Sequence, residues 1–150
     1  MQKVIIYTDG ASRNNPGQAG AGAYITDGEG KVLRECTRAL GVATNNFAEY
    51  EAIILGLENV KKMFGEAKTK TLDVEVRMDS ELAQRQLTGV YQVKEPTLWP
   101  QFMKIWNLRV ASFPNIKFVH IPREKNTEAD RLSNEAIDGV ASVHGNTLFT

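Results

Sequence analysis

The chain has 150 residues, and its 18 basic side chains balance 18 acidic ones, so it carries no formal net charge at neutral pH. Hydrophobic residues make up 42% and charged residues 24%, ordinary values for one domain that buries its own core, which excludes disordered and fibrous classes. Neutrality also excludes an indiscriminate DNA-coating protein, although a metal site or a local patch can still hold nucleic acid.

The single cysteine, Cys36, has no partner for an internal disulfide, and no Cys/His cluster has zinc spacing. It reads as a small apolar residue in a strand. The N-terminus, MQKVIIYTDG, has an apolar run far shorter than a signal-peptide core, and no segment reaches transmembrane length. The expectation is a soluble, cytoplasmic protein with no membrane partner.

Residues 3–8 (KVIIYT) are β-branched and aromatic and stop at Asp9-Gly10, which predicts a short central strand. Residues 10–19 are turn chemistry, with Asn15-Pro16-Gly17 the strongest break. AGAYIT and KVLREC then predict two strands joined by a hairpin turn at Asp27–Gly30. In residues 46–64, Ile53, Leu57, Val60 and Phe64 recur at helical spacing, and Gly65 is a plausible C-cap. LDVEVRM (72–78) alternates as a half-buried strand, and a short helix runs from Ser80 to near Gly89. The stretch 90–100 is a connector, and 101–111 predicts a helix with Phe102, Ile105 or Trp106, and Val110 facing inward. Residues 116–121 (IKFVHI) predict the fifth strand and 127–141 a last helix.

This order predicts an α/β fold: a five-stranded mixed sheet, an antiparallel three-strand meander plus two parallel strands, flanked by helices. A single domain is expected, with a core at about 3–138 and an apolar tail, 140–150, that packs back on the sheet edge or touches a second copy. His144, in that tail, reads as incidental. Chemistry in such sheets collects at the carboxyl ends of the parallel strands and the helix starts beside them.

Four carboxylates fall there. Asp9 ends the first strand and Asp79 the fourth; these strands should be parallel neighbours. Glu49 lies in the first turn of the long helix and shares its buried stripe with Ala52 and Ile53. Asp130 lies in the first turn of the last helix. Each has a plainer reading alone: a turn pair for Asp9-Gly10, a dipole-favoured acid for Glu49, an N-cap for Asp79, a capping box for Asp130 with Thr127. Those readings do not predict four carboxylates converging on one sheet end. Converging carboxylates raise one another's pKa unless cations lie between them, and hard oxygen ligands select Mg²⁺ or Mn²⁺. Two such ions about 4 Å apart form the clamp for in-line phosphodiester displacement.

The motifs YTDGASRNNPGQAGAG (7–22), TNNFAEYEAIILGL (44–57), VRMDSELAQRQLTG (76–89) and REKNTEADRLSNEA (123–136) resemble the type 1 ribonuclease H family. The resemblance spans about residues 3–138 and keeps all four acidic motifs in order. It implies a ribonuclease H-like fold and endonucleolytic cleavage of the RNA strand of RNA/DNA hybrids. It further implies two Mg²⁺ ions (Mn²⁺ as a substitute), and 5′-phosphate and 3′-hydroxyl products. By motif position it makes Asp9, Glu49, Asp79 and Asp130 the metal ligands. Gly10, Ser12, Asn15, Asn45 and Asn46 are short donors and acceptors suited to reading 2′-hydroxyls in a shallow minor groove, or else to turn and N-cap chemistry. Thr44 resembles the position that meets a DNA-strand phosphate. Ser80 could support either backbone or substrate.

Two features depart from many bacterial members. The stretch GVYQVKEPTLWP stands where they carry a basic, Trp-containing protrusion, and holds only Lys94 as a cation. Their flexible, histidine-bearing loop is reduced to PREKN, leaving Arg123 to face the scissile phosphate and His120 within a strand. The short loop with Arg123 resembles archaeal-type and some bacterial members. The alternatives are a same-fold nuclease acting on double-stranded RNA or branched DNA, a non-catalytic hybrid-binding domain, and a structural Ca²⁺ site. The last usually gathers its ligands from one contiguous loop. No obligate protein partner is evident, and a monomer is expected.

Overall fold

The computed structural model describes residues 1–139. The proposed tail, 140–150, and His144 lie outside the described residues. Strands β1 (Lys3–Ser12), β2 (Gly17–Asp27) and β3 (Val32–Ala43) form the antiparallel meander. Helix α1 (Asn45–Phe64) and the short α2 (Glu66–Thr69) lead into β4 (Asp73–Met78). Then come α3 (Glu81–Leu87), α4 (Trp99–Ser112), β5 (Ile116–His120) and α5 (Thr127–Ile137). The sheet order is β3-β2-β1-β4-β5, with β1–β4 and β4–β5 parallel, as the element order predicts.

The strands of the meander are longer than their apolar runs. β1 continues through Asp9 and Gly10 to Ser12, and β2 starts at Gly17, because the two strands keep pairing out to Ser12↔Ala19. Backbone pairing does not require apolar side chains, so polar turn-like residues were absorbed into the ladder.

Alternation along β1 and β2 divides the two faces of the sheet. Val4 and Ile6, with Ala21, Ala23 and Ile25, join Tyr50, Ile53, Ile54, Leu57 and Val60 of α1 in one core cluster. Gly20 and Gly22 alternate with those alanines and face α5: a Cβ on Gly22 would lie 2.6 Å from the Ser133 nitrogen. Helix α5 therefore lies directly on β2, on the face opposite α1. Helix α1 closes at Gly65, whose φ of 82° and N–H to the Lys61 carbonyl confirm the predicted cap. Cys36 is buried on β3, where burial pushes its thiol up to about 11. No helix among the described residues is long and apolar enough to cross a membrane.

Helix α4 corrects the expected orientation in part: Phe102 and Ile105 face the core as expected, and Val110 does not. Leu98 just before it and Ile105 within it are buried, whereas Val110 is 65% exposed and Trp106 47%. Trp99, Met103, Trp106 and Val110 form a second apolar stripe at helical spacing, and that stripe faces solvent. Both faces of the helix carry the pattern that marks a core face, so periodicity alone could not choose between them.

Candidate active site

The β1–β4 ladder ends at the pair Thr8↔Met78, and the next residue on each parallel strand is an aspartate. Asp9 and Asp79 therefore stand side by side just past the end of that ladder, while β1 continues beside β2. Helix α1 brings Glu49 to the same place, as the first residue of its second turn, because the helix starts at Asn45 rather than Asn46. Its Oε1 accepts the backbone N–H of Gly10 at 2.8 Å. A carboxylate oxygen from each of Asp9, Glu49 and Asp79 falls within 4.8 Å of the others. Three elements far apart in sequence supply that trio.

Asp130 enters from α5. It is not within that radius of all three, but it is close enough to Asp9 to act on its titration. The capping box expected of Thr127 is absent: Asn126 is the N-cap of α5, and Thr127 is its first residue. Asn126 donates from Nδ2 to the Thr8 carbonyl at 2.9 Å and to Asp79 Oδ2 at 3.1 Å. Ser133 Oγ, one turn beyond Asp130, lies 3.4 Å from Asp9 Oδ2. Neither Asn126 nor Ser133 stood out in the sequence; the available signal was their place in REKNTEADRLSNEA, around an acid already singled out.

The electrostatics of the trio are those of crowded acids. Asp9 is pushed up to about 8, first by burial, then by the charge of Asp79 and by Asp130, with Arg123 opposing. Glu49 is also held well above the usual carboxylate range, by burial and then by Asp9, while the Gly10 N–H and Arg123 pull the other way. Such a group resists full ionisation unless positive charge enters it. Its donors are all hard carboxylate oxygens, with no sulfur or imidazole among them, so the residues present fit divalent cations of the Mg²⁺ kind. Arg123 opens a single 3₁₀ turn (Arg123–Lys125) just before α5, exposed but near enough for its charge to bear on Asp9 and Glu49. His120 is the exposed last residue of β5, paired with Met78.

The remaining candidates tie the β1–β2 turn to the start of α1. Asn45 Oδ1 accepts from the Ser12 N–H at 2.8 Å, and Asn15 Oδ1 accepts from the Asn45 N–H at 2.9 Å. Ser12 Oγ donates to the Ala43 carbonyl, and Thr44 Oγ1 caps α1 by accepting from the Phe47 N–H. Asn46 is half-buried in the first turn. Ser80 is an N-cap, accepting from the Ala83 N–H at 3.1 Å, so it supports the backbone at the start of α3. The turn and N-cap chemistry is thus real for Ser12, Asn15, Thr44 and Asn45.

The family model described as "Reverse transcriptase-like" matches residues 7–136. A "Ribonuclease H" of Clostridium botulinum is 30% identical over 151 residues, covering 92% of this chain and 97% of that protein. The chain belongs to the ribonuclease H family. A solved structure of LC11-RNase H1 in complex with RNA/DNA hybrid is 55% identical, with a TM-score of 0.87, and covers 91% of this chain and 98% of that one. The "Bifunctional protein Rv2228c" of Mycobacterium tuberculosis is 41% identical over 140 residues. This ribonuclease H chain covers 93% of its own length in that match but spans only 36% of the mycobacterial protein.

Proposed function

We propose that the chain is an endoribonuclease that hydrolyses the RNA strand of RNA/DNA hybrids, leaving 5′-phosphate and 3′-hydroxyl ends. The observation that carries this reading is the meeting of Asp9, Glu49 and Asp79 within 4.8 Å at the carboxyl end of the parallel strands. Membership of the ribonuclease H family supports the substrate class.

In this reading Asp9, Glu49, Asp79 and Asp130 hold two Mg²⁺ ions, with Mn²⁺ able to replace them. When bound, the ions supply positive charge and Lewis acidity for phosphodiester hydrolysis. The protein's own part is positional. The Gly10 N–H fixes one oxygen of Glu49, leaving the other for a ligand. Arg123 faces the scissile phosphate, a planar cation suited to phosphate oxygens. Gly10, Ser12, Asn15, Asn45 and Asn46 read the 2′-hydroxyls of the RNA strand, and Thr44 meets a phosphate of the DNA strand. In this reading these residues act as one ribonuclease H domain, as a monomer in the cytoplasm.

Labelled RNA/DNA hybrid, double-stranded RNA, single-stranded RNA and duplex DNA, each offered with Mg²⁺, test the reading. EDTA and Asp9→Asn serve as controls. Cutting of the RNA strand of the hybrid, lost in both controls, is the expected result. Tight hybrid binding without cutting in either Mg²⁺ or Mn²⁺ would instead identify a non-catalytic hybrid-binding domain.

A further inference from the structure

The ladder that holds β1 beside β4 stops one residue short of the two aspartates. Its last pair is Thr8↔Met78, so no backbone pairing between these strands fixes the spacing of Asp9 and Asp79. The two carboxylates also repel, and while β1 stays paired with β2 through Ser12, β4 ends at Met78, so this ladder does not restrain Asp79 against that repulsion. One side chain bridges that point. Asn126, 1% exposed at the start of α5, donates from Nδ2 both to the Thr8 carbonyl on β1 and to Asp79 Oδ2 beyond β4.

The chemistry of this bridge is specific. Both partners are acceptors, so the amide can present only its NH₂ group to them, and its orientation is settled by the network. The consequence is that Oδ1 is buried without a hydrogen-bond partner. Burying such an acceptor is costly, and the cost is set by where the NH₂ must point. An amide is also neutral: it restrains Asp79 without adding the fixed positive charge that would compete with a cation.

We infer that Asn126 is a positioning residue for the acidic site: its amide clamps Asp79 to the backbone of β1, holding the carboxylates at the spacing a divalent cation requires. This rests on the proposed metal-dependent function. Partners that orient a ligand typically contribute about 10–100-fold in metal affinity or activity.

The test titrates MnCl₂ into the whole chain without nucleic acid, by calorimetry, for wild type, Asn126→Ala, Asp79→Asn and the double variant. Asn126→Ala should weaken Mn²⁺ binding by about 10–100-fold. It should lower kcat at limiting metal, with recovery at high metal, and leave KM for the hybrid unchanged. In the Asp79→Asn background the same substitution should have almost no further effect on Mn²⁺ affinity, because the clamp acts through Asp79. If Asn126→Ala melts too low to titrate, Asn126→Ser, too short to span both acceptors, carries the same expectation. A wild-type protein that binds Mn²⁺ and cuts hybrid, alongside variants whose Mn²⁺ affinity stays within about twofold, overturns the clamp alone. An equal loss in both backgrounds also overturns it. A wild type that neither binds Mn²⁺ nor cuts hybrid overturns the functional reading, and the clamp with it.

Discussion

Gly10 donates its backbone N–H to Glu49 Oε1 at 2.8 Å, across a contact so close that a Cβ on Gly10 would lie 2.1 Å from the Ala48 carbonyl carbon and 2.3 Å from the Glu49 nitrogen. The obstruction is helix backbone, which cannot swing aside as a side chain can. The glycine after Asp9 is therefore a condition of the site, since it lets α1 approach β1 closely enough for Glu49 to join the aspartates. Gly10→Ala should push α1 off the strand, costing about 1–3 kcal/mol of stability or more. Cleavage should fall further than stability, because Glu49 moves with the helix. Thermal melting and hybrid cleavage by the same preparation check both.

The raised pKa of Asp9 makes stability depend on pH. With a folded value near 8 against 3.8 for the free side chain, the folded protein binds the proton more tightly than the unfolded chain. Between those values stability falls as pH rises. Asp9→Asn should abolish cleavage and yet stabilise the metal-free fold at neutral and alkaline pH. Each kcal/mol relieved is worth about 2–4 °C in Tm at this chain length. Melting curves from pH 5 to pH 9 in EDTA should converge at the acid end and separate at the alkaline end. A wild-type Tm that does not decline with pH would contradict this.

Arg123 is exposed yet influences both Asp9 and Glu49, which places a fixed positive charge at the edge of an acidic group. If that charge faces the reacting phosphate, Arg123→Ala should lower kcat well beyond any change in KM, and Arg123→Lys should recover part of it. Steady-state kinetics on a single hybrid sequence distinguish the two parameters. An unchanged kcat would sink the assignment.

Residues 89–95 have no helix of their own, and only the short turn Pro96–Leu98 precedes α4, so no basic protrusion stands there. With few cations to grip the backbone and no net charge overall, hybrid binding should be weak and should have a shallow salt slope, because few phosphate contacts release few counterions. Fluorescence anisotropy in EDTA at increasing KCl measures this directly. A steep fall with salt would mean that cations elsewhere on the surface carry the binding instead.

The acidic positions were legible because strands and helices impose known directions on side chains. Asp9 follows the apolar run of β1 and Asp79 follows the alternating strand β4, and parallel pairing of those strands puts them side by side. Glu49 sits on the stripe of Ile53 and Leu57, so burying the helix buries its carboxylate too. Asn126 was not legible, since an asparagine at a helix start serves equally well as a cap, and its acceptors, Thr8 and Asp79, are remote in sequence. Nor was the orientation of α4, where Phe102 and Ile105 on one face compete with Trp99, Met103, Trp106 and Val110 on the other.

The sequence by itself determined the element types, the order of the meander and crossovers, and the four carboxylates, because periodicity and turn chemistry act over a few residues at a time. Only the tertiary structure decided what lies between those elements. It set the close approach of α1 to β1 at Gly10, the distance of Asp130 from the trio, and the amide that spans Thr8 and Asp79. Those features depend on how close two packed elements come, and that distance is set jointly by all the side chains between them.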